Sequence, residues 1–294
     1  MPETGRAGGA WMRMRAALAL SALVLVLMAV ASATGLVADG LYRDPAPVAS
    51  MLRGYDPVTL VVAVPALGLA LLGVRRGSVA AQLVWVGMLA YAGYTYAIYV
   101  FGTAFNNLFL AHVAVFSGSV YALTLALSAL DVAGIARRFN PRTPARWIAG
   151  LLALLALGLG GMWVFYSLRF AATGDAPVGS VLVETPTIVH LGYALDLSLL
   201  VPAYALAAVL LWRRAAWGYV LAAAVLVSGT VHQVGYLVAL PFQVDAGVAG
   251  ASAFDPGEPP IAVAFLIATV VLLAGLRRPS PGARPRRAAL VPDR

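Results

Sequence analysis

Long apolar runs, broken at short polar intervals, dominate the chain. A helix needs about 20 apolar residues to cross a hydrocarbon core. Eight runs approach that length: residues 16–37, 57–74, 79–101, 106–130, 147–170, 187–212, 215–240 and 260–276. They predict an all-α fold, a polytopic transmembrane helix bundle of about eight spans within residues 1–278. The second and eighth runs are the shortest and predict upright or partly enclosed helices. Residues 279–294 are rich in proline and arginine without an apolar pattern, which predicts a disordered basic cytoplasmic tail.

The polar intervals alternate in charge. Seventeen of the 20 basic residues, all arginine, fall on one side of these spans, from Arg6, Arg13 and Arg15 to the six between Arg277 and Arg294. The other side holds Arg43, Arg53 and Arg169 with most of the acids, Asp56 and Glu184 among them. Arginine favours the cytoplasmic side, so both termini are expected there. Ala31-Ser32-Ala33 follows the first run like a signal-peptidase site, but a signal core spans only about 7–15 residues. The expectation is a retained first helix.

Composition supports lipid as the solvent. Only 11% of residues are charged, against about 25% in soluble domains, and 62% are hydrophobic. Arginine without lysine, together with abundant alanine and glycine, suggests a GC-rich bacterial source and hence a bacterial plasma membrane. The net charge of +8 resides in loop arginines, a topology signal, so the lipid bilayer is the expected partner and nucleic acid is not. The absence of cysteine excludes disulfides, thiol catalysis and cysteine-held iron–sulfur clusters.

Two spans echo each other. Val64-Pro65-Ala66-Leu67 leads to Arg75-Arg76, and Val201-Pro202-Ala203-Tyr204 leads to Arg213-Arg214. An offset of four spans keeps orientation, so the pattern points to a parallel 4+4 internal repeat. Each proline removes a backbone donor and frees the carbonyl four residues earlier, at Val61 and Ser198. Alanine–leucine helices align with one another readily, so only the proline and the arginine pair inform.

Ionisable groups inside a membrane are costly and concentrate function. His112, His190, His232 and Asp196 all fall in spans. At 1.5 Å per residue they lie about 9, 5, 12 and 14 Å below the outer ends of their helices. Ser228, His232 and Tyr236 form one polar stripe, with Gly229 and Gln233 beside it. These positions outline an outer-half polar pocket with Asp196 as its anchor. Asp196, His112, His190, His232, Gln233 and Tyr236 are the candidate ligand- or proton-binding residues. The simpler reading of each histidine is a hydrogen bond to a neighbouring helix. Tyr91, Tyr94, Tyr96 and Tyr99 form either a ligand-stacking surface or an interfacial aromatic belt. No H-x-x-x-H, H-E-x-x-H or CxxCH pattern is present, so neither metal nor haem is expected and the cofactor is unknown.

Residues 57–65, YAGYTYAIYVFGTAF (91–105), NNLFLAHVAVFSGSVYAL (106–123) and HLGYALDLSLLVPAYALAAVLLWRRAAWGYVLA (190–222) resemble a group of bacterial multi-pass membrane proteins to which no activity is assigned. The resemblance covers roughly spans two to seven, with Asp196 and Pro202 nearest its pattern. It implies the topology and no mechanism. Three functions fit: a small-molecule or proton-coupled transporter or binding protein, a membrane enzyme acting on a lipid or quinone, and an assembly or sensory subunit. The topology has a direct test. A periplasm-dependent reporter such as alkaline phosphatase, fused after Arg294, should stay inactive; strong activity there contradicts the arginine assignment.

Overall fold

The computed structural model describes residues 3–277 apart from residue 178. The predicted tail, 279–294, lies outside the described residues. Among them the fold is all-α, because lipid leaves no partner for backbone polar groups except within the segment itself. Helix α1 spans Glu3–Val37, α2 Ala46–Val58, α3 Val64–Arg75, α4 Val79–Phe101, α5 Phe109–Ala129 and α6 Val132–Arg137. Then follow α7 Ala145–Thr173, α8 Pro186–Leu195, α9 Val201–Trp212, α10 Ala216–Asp245 and α11 Glu258–Ala274. Helix α2 runs into α3, and α8 into α9, through one π turn each, so seven continuous helices are long and apolar enough to cross a membrane. Helix α11 is apolar but shorter, at 17 residues.

The second run needs correction. It does not begin at Pro57 but at Ala46, and the helix passes through Pro57. Charge at Arg53 and Asp56 together with the proline resembled a loop. The structure instead buries Val48, Met51, Leu52, Tyr55, Asp56 and Val58 of α2, so packing overrides the local signals. Ala31 and Ser32, part of the apparent cleavage motif, are buried within continuous α1.

The spans that carry Pro65 and Pro202 accommodate those prolines in the same way. Residues Thr59–Ala63 and Asp196–Leu200 form π turns that end where α3 and α9 begin, with Pro65 and Pro202 in the first turn of those helices. The turns close through Val64 N–H to the Thr59 carbonyl and Val201 N–H to the Asp196 carbonyl. A wider turn makes room for a ring that would clash with the carbonyl four residues back.

Helices α4 and α10 form the centre: 67% of their most apolar windows is buried, against 28–33% for the other spans. Helix α10 packs on α2, α4, α9 and α11. Glycine permits the closest approaches, since a Cβ on Gly54 would strike the Ala239 backbone and one on Gly87 would strike Val227. Helices α1 and α5 pack extensively, whereas α7 and α11 scarcely touch. Beneath that gap, backbone hydrogen bonds join the segment after α6 to the end of α11: Asn140 N–H to the Gly275 carbonyl and Arg277 N–H to the Arg138 carbonyl, both 2.8 Å. Overpacking a close contact costs about 1–3 kcal/mol. Gly54→Val should therefore lower the thermal midpoint in detergent by several degrees. Gly150→Ala, where a Cβ meets nothing within 4 Å, should leave it unchanged or slightly raised. Equal shifts would contradict the α2–α10 contact.

Candidate functional site

Asp196 opens the π turn of the sixth span and is only 8% exposed. Its Oδ1 accepts from the Tyr94 hydroxyl at 2.6 Å and its Oδ2 from Trp163 Nε1 at 2.8 Å. An indole nitrogen can only donate, so Oδ2 must be an acceptor. Trp163 also stacks on Tyr193, with ring centroids 4.1 Å apart. Helices α4, α7 and α8 thus meet at one carboxylate.

Beside it opens a cavity of about 710 Å³. All five residues of the α10 stripe, Ser228, Gly229, His232, Gln233 and Tyr236, line it. The His232 ring meets Tyr94 edge-on at 5.2 Å and lies 5.6 Å from Tyr55, while its buried Nδ1 has no hydrogen-bond partner. Gln233 donates to Glu258. The Tyr236 hydroxyl donates to Asp255 and accepts from Val181 N–H, both at 3.1 Å. On the α7 side the wall contains Leu154 and Met162, which are 67% and 43% exposed, and the exposed Gly158. Ile261 and Phe265 of α11 stand opposite. The sparse α7–α11 contact therefore leaves the cavity open sideways.

A cover closes the end of the cavity nearest the α7–α8 connection. Gly179 to Leu182 and Glu184 line the cavity, and buried Gln243 fixes this segment. Its Nε2 donates to the Val183 carbonyl at 2.8 Å and the Pro47 carbonyl at 2.9 Å; its Oε1 accepts from Val183 N–H at 2.8 Å. Glu184 accepts from Ser180 N–H and hydroxyl at 3.3 and 3.4 Å. Burial raises its carboxyl above the ordinary 4.5, partly countered by those two bonds.

Asp56 forms a second, closed centre, 2% exposed. Tyr42 donates to its Oδ2 at 2.7 Å and Tyr99 to its Oδ1 at 3.3 Å. Burial and the neighbouring Asp56 raise the Tyr42 phenol above its ordinary 10.0, so it keeps its proton and donates. His112, fully buried, lies 5.0 Å from the Tyr99 ring and 5.8 Å from Tyr96, with neither nitrogen hydrogen-bonded.

The structure therefore separates the sequence candidates. Asp196, His232, Gln233 and Tyr236 line one cavity, with His232 touching the tyrosine that binds Asp196. His190 is exposed in an adjoining groove, and His112 belongs to the Asp56 centre. Asp196 takes its hydrogen bonds from Tyr94 and Trp163, not from the α10 stripe or His112, and the Ser198 hydroxyl bonds the Ala194 carbonyl. Trp163, Glu184, Asp255 and Glu258 escaped sequence reasoning as site residues, and so did Asp56. Tyr94 carried a signal in its depth, too far inside for an interfacial belt. Among the described residues, no three His, Asp or Glu side chains stand close enough to hold a metal ion. Comparison with family models, curated proteins and solved structures returned no match and identifies no family; the seven long apolar helices indicate a multi-pass membrane protein.

Glu184 gives the site a pH signature. Below its ordinary value, the folded and unfolded chains are both protonated there. As pH rises through that value the unfolded chain ionises first, so folding stability falls until the raised folded value is passed. Glu184→Gln keeps an acceptor for Ser180 and removes this fall. Its thermal midpoint should gain on the wild type between acid and neutral pH; a constant difference across that range contradicts the assignment.

Proposed function

We propose that this chain is a membrane-embedded binding protein or carrier for a small amphiphilic molecule, which enters the outer-half cavity sideways from the bilayer. One observation carries the reading: a cavity of ligand size, mostly apolar, has a hydrogen-bonded carboxylate on its wall and an open side between α7 and α11. An apolar tail fits the wall, and a polar end finds Asp196 and His232.

The topology proposed with it has eight crossings and both termini in the cytoplasm of a bacterial plasma membrane. Helix α11, about 26 Å long at 1.5 Å per residue, would cross where the bilayer thins slightly. A parallel duplication of four spans is supported by the matching π turns before Pro65 and Pro202. Two corresponding pairs of neighbours also pack alike, α3 with α4 as α9 with α10 and α4 with α5 as α10 with α11, whereas α1 with α5 and α7 with α11 differ.

The sideways opening also favours a second reading, an enzyme acting on a lipid or quinone. Against it, both Asp196 oxygens are bound to Tyr94 and Trp163, and His232 Nδ1 is unpartnered. The paired acid and base such chemistry uses is not assembled.

A Cβ at Gly192, in the cavity wall, meets nothing within 4 Å, so the side chain of Gly192→Trp starts in open space and can occupy the cavity. Native mass spectrometry of protein extracted from expressing membranes should show a bound small molecule on the wild type that Gly192→Trp loses. Identical spectra for two equally folded proteins contradict the binding reading.

A further inference from the structure

We infer that the polar end of the bound molecule is a single organic cation, an alkylamine or quaternary ammonium, seated between Asp196 and the aromatic walls. The inference rests on the binding reading above and adds the ligand's charge.

Three observations converge. First, Asp196, Glu184, Asp255 and Glu258 line the cavity, and among its described lining residues there is no arginine. Two of the three arginines on that side are engaged elsewhere, Arg53 with Asp39 at 3.1 Å and Arg169 with Asp175 at 2.9 Å. One sign of charge in a low-dielectric cleft focuses its field on the opposite sign. An anionic ligand would meet repulsion from every ionised group there.

Second, aromatic side chains line the same cavity as the carboxylate, and two of them, Tyr94 and Trp163, touch it. Trp163, Tyr193, Tyr94, Tyr55, Tyr204 and Phe265 all line the space, and Tyr204 and Phe265 face each other with centroids 6.1 Å apart. Aromatic faces attract ammonium groups, and the attraction grows when water is excluded. A small, strongly hydrated metal ion gains less from such walls than an organic cation with an apolar body.

Third, His232 Nδ1 is buried in the wall without a partner. A buried orphan nitrogen is costly unless something completes it. In either tautomer the His232 ring, which lines the cavity beside Tyr94, adds another π surface.

The test uses the purified full chain in dodecyl maltoside with tritiated decyltrimethylammonium as the probe. Unlabelled decyltrimethylammonium, decanol and decanoate, which share a linear alkyl tail, compete for it. The ammonium should bind saturably, and decanol and decanoate should compete far more weakly. Asp196→Asn should weaken the ammonium by about thirtyfold or more, the scale of removing one partner from a buried charge pair. Its amide can still donate to Tyr94 oxygen and accept from Trp163, so the fold should survive. Tyr204→Leu, which leaves the carboxylate untouched, should weaken the ammonium severalfold and Tyr204→Phe should restore it. Decanol competing as well as the ammonium, with Asp196→Asn changing neither, overturns the cation inference and leaves the binding reading standing. No saturable binding of any of the three, each also measured directly as the tritiated compound, overturns both.

Discussion

A carboxylate inside a hydrocarbon slab must find its donors within the protein, and that constraint organises this molecule. An uncompensated charge near the bilayer centre costs about 2.5–3.5 kcal/mol on insertion scales. Both buried aspartates meet it with aromatic donors instead of arginine: Tyr42 and Tyr99 for Asp56, Tyr94 and Trp163 for Asp196. Tyr94 and Tyr99 both lie on α4, so one central helix serves both sites. Aromatic donors supply hydrogen bonds without bringing a positive charge of their own.

The two sites differ in enclosure. Around Asp56, α1 and α5 pack closely and α2 rests on α10 through Gly54. Around Asp196, α7 and α11 stand apart and α8 touches α4 lightly. If the halves derive from one four-span unit, as proposed, the same arrangement is held shut in one half and open in the other. The closed half then serves as the rigid frame, and the open half holds the ligand space. Lipid-facing Leu154 and Met162 on its rim suit a ligand with an apolar tail.

Much of the fold was legible because lipid leaves few choices. Apolar run length located the helical runs, since every backbone group must be satisfied within its own helix. The second helix defeated this reasoning, because Arg53, Asp56 and Pro57 resemble a loop until Tyr42, Tyr99 and the Gly54 contact are known. The α10 stripe was legible through its four-residue spacing, and all of it faces the cavity. What a single sequence withheld was the pairing between helices. Nothing in the Met162-Trp163-Val164 run marks the indole as Asp196's donor, and nothing near His112 separates it from His232. Glu184 and Glu258 looked like ordinary loop acids until the cover segment and the start of α11 set them in the cavity wall.

The most direct test of the account is an experimental structure of the full chain in lipid nanodiscs with decyltrimethylammonium, using a rigid antibody fragment to aid alignment. The account predicts density for the headgroup beside Asp196, within about 4 Å of its carboxylate as in an ion pair, with the alkyl tail leaving between α7 and α11. Helices α7 and α11 packed together over a collapsed cavity, or a headgroup bound away from Asp196, would contradict it.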